Sequence, residues 1–294
     1  MKFSEMYAQS YPILSVELFP PKTEKGWGNL YRRLSHLKGL PLQFVSVTYG
    51  AGGSIRDRTL ELTQKVRESI GVTSVPHFTL IGAGKEQIRK FLHESIAQGA
   101  ENIVALRGDI PKNTLDFPIP SDGFQHANEL VAFIRNETDA LDIGVAGYPE
   151  GHTECRDLVT DMENLKRKVD AGATIVITQL FYDNTDFFRF RERAVKTGVT
   201  VPIVAGIMPI VKFSQIKRIT SMCGASIPKH LYDTLTKYDM DSAEQRMAGI
   251  EYAINQARNL LENDVVGLHI YSLNKWRTVT KLLEGVQDLI EQEN

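Results

Sequence analysis

The amino-acid sequence predicts an α/β protein in which eight parallel strands close into a (β/α)8 barrel, with a helical insertion before the last strand. Three observations predict this fold. The chain has 294 residues, and barrels of about 250 residues commonly fold as one domain. Short runs of β-branched and apolar residues alternate with stretches of helical periodicity, which is the pattern of βαβ units around a parallel sheet. These runs number about eight, so we expect one TIM-barrel domain over residues 1–294.

Composition and charge narrow the class of protein. Hydrophobic residues make up 42% of the chain and charged residues 24%, which excludes disordered, collagen-like and membrane-spanning classes. The formal net charge of -2 provides no basic field that would attract nucleic acid. The N-terminal residues lack the apolar segment of a secretory signal, and Cys155 and Cys223 are too few for a disulfide framework. We therefore expect a cytoplasmic protein without nucleic-acid or membrane partners.

The apolar runs are the predicted strands. In chain order they cover residues 13–19, 43–49, 74–81, 101–107, 142–148, 174–181, 201–208 and 265–273. Eight such strands, each followed by a helix, match the count of a closed barrel.

The segment at residues 85–99 predicts one of the outer helices. Ile88, Leu92 and Ile96 recur at helical spacing and form one apolar stripe over charged neighbours. Gly99 then predicts the end of the helix, because glycine readily adopts the backbone conformation that terminates a helix.

Residues 161–172 predict a second helix with both ends marked. Thr160 followed by Glu163 has the spacing of a capping box, which places the start of the helix directly after Thr160. Gly172 predicts its end.

A doubly wound open sheet is the main alternative to the barrel, but such a sheet binds nucleotides through a glycine fingerprint. Near matches occur only at residues 50–55 and 82–87. The segment at 50–55 lacks the final glycine of the fingerprint, and the segment at 82–87 has Gln87 at that position. Both segments are therefore better interpreted as turns between a strand and a helix. The longest remaining connections are residues 110–121, rich in Pro and Asp, and the predicted helical insertion at 228–262.

Polar residues follow the predicted strands at their carboxyl ends, where barrel enzymes carry their chemistry. These residues are Glu17, Thr48, Tyr49, His77, Arg107, Gly108, Asp109, Tyr148, Glu150, Gln179, Tyr182, Tyr271, Ser272 and Asn274. Because polar side chains contribute nothing to core packing there, the sequence predicts an active site at this end of the barrel.

Glu17 is the most informative of these residues, because it lies between Val16 and Leu18 in an otherwise apolar strand. An ionised carboxylate is costly in that environment, so its pKa should be raised and Glu17 is a candidate general acid near neutral pH. The alternative is a structural carboxylate paired with a cation. His77, beside Phe78, is either a catalytic group or a hydrogen-bonded residue of the barrel wall.

The triplet at residues 107–109 combines a guanidinium that can bind phosphate, a glycine that lets a ligand approach the backbone, and a carboxylate. A surface loop is the alternative, but the apolar run before the triplet fixes it at a strand end. No second ligand stands at metal-binding spacing from His77, and the cluster at 152–155 is too small for structural zinc. We therefore expect no metal.

Four polar residues of the helix at 161–172 form another candidate group. Asp161, Asn164 and Lys168 fall on one helical stripe with Arg167 beside it. Taken alone, such a stripe is typical of a solvated helix face.

Together the motifs resemble the methylenetetrahydrofolate reductase family, in order and from about Glu17 to Lys275. The motifs are VELFPP at 16–21, SVTYGAGGS at 46–54, PHFT at 76–79, ALRGD at 105–109, GYPEGH at 147–152, NLKRKVDAGA at 164–173, ITQLFYD at 177–183 and GIMP at 206–209. The resemblance implies a barrel of the bacterial type that binds FAD. Such a barrel reduces 5,10-methylenetetrahydrofolate to 5-methyltetrahydrofolate with NADH or NADPH in ping-pong order at one site. It also implies that the protein forms a homo-oligomer, and that its binding partners are these small-molecule substrates.

The resemblance further implies roles for individual residues. Those around the flavin are Thr48, His77, Arg107, Gly108 and Asp109, and those at its ribityl and pyrophosphate groups are Asp161, Asn164, Arg167 and Lys168. The cations supply the charge that two phosphates require where no glycine fingerprint exists. Glu17 matches the general acid, Asp109 the carboxylate between flavin and pterin, and Gln179, with Tyr182 nearby, the contacts to folate and nicotinamide.

Three positions depart from the family pattern. His126 stands in place of a Tyr near the adenine or phosphates, Ile219 in place of an aromatic residue that stacks on substrates, and Lys275 in place of an Arg. We expect them to alter cofactor affinity, the nicotinamide pose and donor preference, and to leave the chemical residues intact.

Three alternative functions remain open at this point. One is a flavin barrel that oxidises a secondary amine, as proline dehydrogenase does. Another is a folate- or flavin-binding subunit that transfers electrons only with an iron–sulfur partner, since two cysteines cannot hold a cluster. The third is a barrel lyase without a cofactor.

Overall fold

Eight parallel strands form a closed barrel, with each strand beside the next in chain order and the last beside the first. The structure is a computed structural model and describes residues 1–49, 53–109, 120–155 and 157–290. The strands are β1 (Ile13–Leu18), β2 (Phe44–Val47), β3 (Thr73–Thr79), β4 (Asn102–Leu106), β5 (Asp142–Gly147), β6 (Ile175–Thr178), β7 (Ile203–Ile207) and β8 (Gly267–Tyr271). The predicted fold class and the eight predicted strands are confirmed.

Helices cover the outside of the barrel. They are α1 (Phe3–Met6), α2 (Glu24–Leu34), α3 (Gly53–Ile70), α4 (Lys85–Ala97), α5 (Ala127–Glu137), α6 (Leu158–Asp170), α7 (Asn184–Thr197), α8 (Phe213–Cys223), α9 (Lys229–Leu235), α10 (Ala243–Leu261), α11 (Trp276–Glu284) and α12 (Gln287–Ile290). The helices α9 and α10 are the predicted insertion before β8. No helix in these described ranges combines the length and apolarity needed to cross a bilayer.

Helix α6 begins earlier than the sequence predicts. Its N-cap is Asp157, whose carboxylate accepts hydrogen bonds from the backbone amides of Val159 and Thr160 at 3.3 and 3.0 Å. The prediction of a capping box at Thr160 is therefore wrong: Thr160 lies inside the helix, and Asp157 is the stronger cap. The predicted end is correct, because Gly172, with φ +115, follows the last turn.

Helix α4 agrees with its prediction. Ile88 and Leu92 are buried, and Gly99 with φ +80 follows the helix. Gly84 is the N-cap residue, so the glycine-rich segment at 82–87 is a turn between a strand and a helix, as predicted. Residues 50–52, which begin the other glycine-rich segment, and residues 110–119 of the Pro- and Asp-rich connection lie outside the described residues.

The short helix α1 seals the amino-terminal end of the barrel, a feature that the sequence did not predict. Phe3 is fully buried and packs edge-on against Phe44, with ring centroids 5.2 Å apart. The backbone amides of Phe3 and Ser4 donate to Asn102 Oδ1 at 2.6 Å and Asp142 Oδ2 at 2.7 Å. Among the described residues, apolar side chains fill this end of the barrel, so we expect a ligand to enter from the carboxyl end.

A buried polar layer lies above this apolar plug. The two ring nitrogens of His269 are 2.8 Å from Ser15 Oγ and 3.2 Å from Ser46 Oγ. The ring stacks on Phe44 and meets Tyr271 edge-on, with centroids 5.8 and 5.4 Å apart. Burial, with a smaller contribution from His77, lowers the pKa of His269 to about 3, so the ring is uncharged at neutral pH.

Candidate active site

Glu17 lies at the carboxyl end of β1, level with Ser46 on β2 and Tyr271 on β8. Its side chain is 22% exposed, but the apolar strand around it removes most of its water. Burial accordingly raises the pKa of Glu17 to about 8, so most of the carboxyl groups carry a proton at neutral pH. No Lys or Arg among the described residues forms an ion pair with Glu17. The structure thus favours the general-acid interpretation over the paired structural carboxylate.

His77 faces Glu17 across the barrel opening. Its Nε2 atom lies 4.0 Å from Glu17 Oε2, and its side chain is 7% exposed. Burial lowers the pKa of His77 to about 3, so this contact joins two uncharged groups at neutral pH and is not an ion pair. Within the described part of the chain, Nε2 is a buried atom without a hydrogen-bond partner.

Tyr271 spans from β8 to β6 and forms part of the inner surface of the opening. Its hydroxyl donates to the carbonyl oxygen of Thr178 at 2.7 Å. The ring lies against Gly206 on the intervening strand, where a Cβ atom would stand 2.7 Å from Tyr271 Cε2 and 2.1 Å from the Thr178 oxygen. Only glycine at this position leaves room for the ring, so β7 and β8 together fix its orientation.

The segment after β8 is tied to the segment after β1. Ser272 donates to the carbonyl oxygen of Glu17 at 2.7 Å. The Asn274 amide accepts from the backbone N–H of Phe19 at 3.1 Å and donates to its carbonyl at 2.9 Å. Leu273 and Asn274 both adopt left-handed backbone conformations, with φ 49 and 57. These bonds fix the backbone that carries Glu17.

The predicted triplet at the end of β4 lies at the rim. Gly108 has φ +81, and a Cβ atom there would come within 2.8 Å of the Thr79 side chain. Arg107 makes a two-pronged ion pair with Glu154, with both N–O distances at 2.6 Å. Asp109 is exposed, and its charge adds to the effect of burial in raising the pKa of Tyr148 to about 12.

The sequence does not predict the contact between Glu154 and Arg107. Glu154 lies in the segment after β5, far along the chain from β4, so residue spacing carries no sign of the contact. The order of the strands is the one weak indication of this contact. An Arg after one strand and a Glu after the next strand become neighbours when the barrel closes.

Helix α6 divides the predicted polar stripe into an inner and an outer part. Asp161 is 6% exposed, and its Oδ2 atom is buried without a described partner. Lys168 Nζ donates to the carbonyl oxygen of Ala146 at 2.5 Å and lies 5.8 Å from the centre of the Tyr148 ring. Burial lowers the pKa of Lys168 to about 8, and the negative charge of Asp161 opposes this shift.

Arg167 and Asn164 form the outer part of the stripe. Arg167 is exposed and donates to Asn164 Oδ1 at 2.8 Å, with Glu163 3.9 Å away. The structure therefore brings Asp161 and Lys168 next to Tyr148 at the rim, whereas the Arg167 guanidinium points along the outer surface of the helix.

The remaining candidates occupy different environments. Thr48 is half-buried, with its backbone N–H donating to the Leu18 carbonyl at 2.9 Å. Gln179 is half-buried, and its Oε1 accepts from the Leu180 backbone N–H at 2.9 Å. His126 is exposed at the N-cap of α5, where its backbone N–H donates to Glu129 at 2.8 Å.

Two substrate-binding candidates lie on the helices after β7 and β8. Ile219 on α8 is half-buried against the apolar cluster under the insertion. Lys275 is exposed as the N-cap residue of α11. The helix that carries Ile219 follows β7, the segment that carries Lys275 follows β8, and these two strands are neighbours in the barrel.

Two tyrosines lie within apolar packing. Tyr182 is 2% exposed, belongs to the cluster beneath α8–α10, and has a hydroxyl without a described partner. Tyr49 packs against Phe78 and Phe91, with centroids 4.9 and 5.5 Å away, and so lies on the side of β2 and β3 that faces α4.

Cys155 and Cys223 are both free. Across residues 1–49, 53–109, 120–155 and 157–290, no group of three or more His, Cys, Asp or Glu side chains is arranged to hold a metal ion.

Comparisons with known proteins identify the family to which the chain is related. The family model for methylenetetrahydrofolate reductase matches residues 2–287. The chain is 36% identical over 262 residues to the 5,10-methylenetetrahydrofolate reductase of Pectobacterium carotovorum subsp. carotovorum, covering 89% of this chain and 86% of that protein. It is 37% identical over 273 residues to methylenetetrahydrofolate reductase 1 of Schizosaccharomyces pombe, covering 92% of this chain and 45% of that protein.

A solved structure shows the same fold at low sequence identity. It is an uncharacterised protein from Clostridium thermocellum that binds two copies of 5-methyl-5,6,7,8-tetrahydrofolic acid, with a TM-score of 0.68, 12% identity, and coverage of 98% of this chain and 99% of that one. On the extent of the family match and the identity to its relatives, this chain belongs to the methylenetetrahydrofolate reductase family.

Proposed function

We propose that this protein reduces 5,10-methylenetetrahydrofolate to 5-methyltetrahydrofolate, with FAD as cofactor and NADH or NADPH as electron donor. The observation that carries the proposal is Glu17, a carboxyl group that is uncharged at neutral pH and lies at the open end of the barrel. Reduction of this folate requires a proton at N10, and a neutral carboxyl group is the donor that this step needs.

Several residues fit a bound FAD. Arg107 and Lys168 supply cations at the rim for its phosphates. Arg167, on the outer surface of α6, is a further candidate by family resemblance. Because Gly108 has no side chain, the backbone at the end of β4 can lie close to Thr79, where a Cβ atom would come within 2.8 Å of that side chain. The orphaned Oδ2 atom of Asp161 is an acceptor that a hydroxyl group of the cofactor would satisfy.

By family resemblance, Thr48, His77, Asn164 and His126 are further cofactor contacts. When bound, the flavin accepts a hydride from the nicotinamide donor and delivers it to the folate.

In the proposed reaction, the two substrates use one site in turn. The oxidised nicotinamide leaves before the folate binds, with Gln179 contacting both substrates and with Ile219 and Lys275 on the folate side. Tyr182, predicted from the family resemblance as a further substrate residue, is buried in the cluster against which Ile219 packs. Glu17 then protonates N10 of the folate, the bond between N10 and the methylene carbon breaks, and an iminium cation forms at N5.

Asp109 is the proposed electrostatic partner of that cation. As an exposed carboxylate at the end of β4, it can face the cation without a large desolvation cost. Tyr271 and the uncharged His77 add no charge at their positions, and Asp109 is the exposed carboxylate that we propose to face the cation.

The visible spectrum of the purified protein tests the function directly. We expect a yellow protein whose flavin absorbance bleaches under anaerobic conditions on addition of NADH or NADPH and recovers on addition of methylenetetrahydrofolate. A colourless protein would contradict the proposal and favour a lyase. Recovery with proline in place of folate would favour an amine-oxidising barrel, and a flavin that no nicotinamide reduces would favour a subunit that needs an electron-transfer partner.

A further inference from the structure

His77 presents a buried polar atom to the proposed acid that the mechanism above does not use. Its Nε2 atom lies 4.0 Å from Glu17 Oε2 and has no partner among the described residues. Leaving a buried polar atom unpaired is unfavourable, so we expect such an atom to meet a partner at some stage of function. The Glu17 carboxyl group is the polar group that faces this atom across the barrel opening.

The protonation states of the two groups are complementary. At neutral pH Glu17 is mostly protonated and His77 is neutral. A neutral imidazole carries one N–H, and a protonated carboxyl group keeps one carbonyl oxygen as an acceptor. If the proton of His77 is on Nε2, the ring donates to one oxygen of Glu17, and the acidic proton on the other oxygen remains free for a substrate.

The distance between His77 Nε2 and Glu17 Oε2 is about 1 Å longer than a hydrogen bond. Glu17 is the side chain that can move to shorten it. His77 is fixed on β3 in the barrel wall, with 7% of its side chain exposed, whereas 22% of Glu17 is exposed. A change in the side-chain torsions of Glu17 is enough, and contacts of this kind commonly tighten only when substrate is bound.

Within the described part of the chain, the other titratable groups that face the pair are uncharged at neutral pH. On β8, burial lowers the pKa of His269 to about 3 and raises that of the Tyr271 hydroxyl. Ser46 on β2 does not titrate. Among the described residues, Glu17 therefore has no competing charged partner.

We infer that His77 is a positioning residue for Glu17, with its Nε2–H donating to one carboxyl oxygen so that the other directs its proton at N10 of the folate. The inference rests on the proposed function. After proton transfer, the same bond becomes charge-assisted and stabilises the Glu17 carboxylate. The step moves one proton from Glu17 to N10, and no electrons pass through His77.

Two substitutions test the inference in the flavin-loaded protein. His77→Leu removes the donor, which destabilises the ionised form of Glu17 and raises its pKa. Because folate reduction requires protonated Glu17, the alkaline limb of its pH profile should move to higher pH. The plateau rate of the folate half-reaction should fall roughly 10- to 100-fold, because the acid is no longer oriented. His77→Gln restores an N–H at similar reach, and it should return both the limb and the plateau most of the way to wild type.

Further measurements distinguish positioning from a loss of cofactor binding or of folding. The carboxyl stretching band that disappears in Glu17→Gln, followed by infrared titration of the holoprotein, reports the pKa of Glu17 without any turnover. The FAD dissociation constant and the melting temperature are measured for each variant. His93→Leu, at an exposed position of α4, is the matched control and should leave the profile unchanged.

The inference is overturned if both His77 variants keep the wild-type limb and infrared pKa, with slower turnover explained by weaker FAD binding. It is also overturned if His77→Gln fails to recover what His77→Leu loses. A wild-type protein that does not reduce the folate, or a Glu17→Gln variant that still does, would instead refute the proposed function or its acid.

Discussion

At the scale of single residues, the barrel opening separates two carboxyl groups by their surroundings. Glu17 is enclosed by an apolar strand, and burial raises its pKa to about 8. Asp109 is exposed after the end of β4. One group can therefore donate a proton while the other provides negative charge, which is how environment divides the work between two carboxylic acids.

Glu17→Gln should slow folate reduction roughly 10²- to 10⁴-fold, because glutamine keeps size and hydrogen bonding but supplies no proton. Transfer of electrons from NADH to an artificial acceptor needs no acid and should change far less. Stopped-flow measurement of the two half-reactions checks this, with Glu68→Gln on the exposed face of α3 as control. A stable, yellow variant that reduces the folate within tenfold of wild type would show that Glu17 is not the acid.

The protonation state of Glu17 also sets the pH dependence. Since the acid must carry its proton, folate reduction in wild type should decline as the pH rises through about 8. The half-reaction rate measured across this range checks the sign, and an increase above pH 8 would argue against a neutral carboxyl donor.

Asp109→Asn should slow the folate half-reaction more than the reduction of flavin by NADH. Only the former develops a cation that the carboxylate can stabilise. Stopped-flow absorbance of the flavin follows both steps. Equal slowing of the two would mean that Asp109 serves to place the cofactor.

At the scale of elements, helix α6 shows what sequence pattern can and cannot predict. Its periodicity and final glycine locate the helix, but its start depends on Asp157, which competes with the Thr160 cap that the motif suggested. The spacing of Asp161 and Lys168 puts them on one face. That this face turns inward, with Lys168 bonded to a strand carbonyl, is decided by the packing of α6 on β5, which no local pattern contains.

The inward position of Lys168 makes it the stronger of the two proposed phosphate contacts on α6. Lys168→Ala should raise the FAD dissociation constant more than Arg167→Ala, because Arg167 is exposed and bonded to Asn164. Fluorescence titration of the apoprotein measures both. Above about pH 8, where Lys168 loses its proton, wild-type affinity should fall and binding should take up protons, and Lys168→Ala should lack this dependence. If both variants and the wild type have the same FAD dissociation constant, α6 does not contribute to the cofactor site.

At the scale of the whole molecule, the barrel has three levels. Apolar side chains fill its amino-terminal end, an uncharged polar layer lies above them, and the candidate active-site residues lie at its carboxyl end. The eight apolar runs were sufficient to predict the barrel, because each strand is a continuous buried segment with its own local signal. The plug by α1, the Ser15–His269–Ser46 layer and the Arg107–Glu154 pair could not be predicted. Each joins residues that are brought together only when the barrel closes.

Phe3→Ala should lower the free energy of unfolding by about 3–5 kcal/mol, as expected for the loss of a fully buried aromatic side chain. Urea unfolding followed by circular dichroism measures the change. Val195→Ala, at a 62% exposed position, is the control and should change stability by less than about 0.5 kcal/mol. Since the plug lies at the end opposite the rim, FAD affinity of the folded Phe3→Ala variant should stay near wild type.

The bonds between Asn274 and Phe19 join residues 255 positions apart in the chain, and this has a consequence for the order of folding. Contacts of such long sequence separation form late, because the entropic cost of closing the loop precedes any gain from it. The seam between β8 and β1 carries Tyr271 and fixes the backbone of Glu17. During refolding from urea, we therefore expect secondary structure to recover first and competence for folate reduction to appear only in the slowest phase, when the two ends of the chain meet.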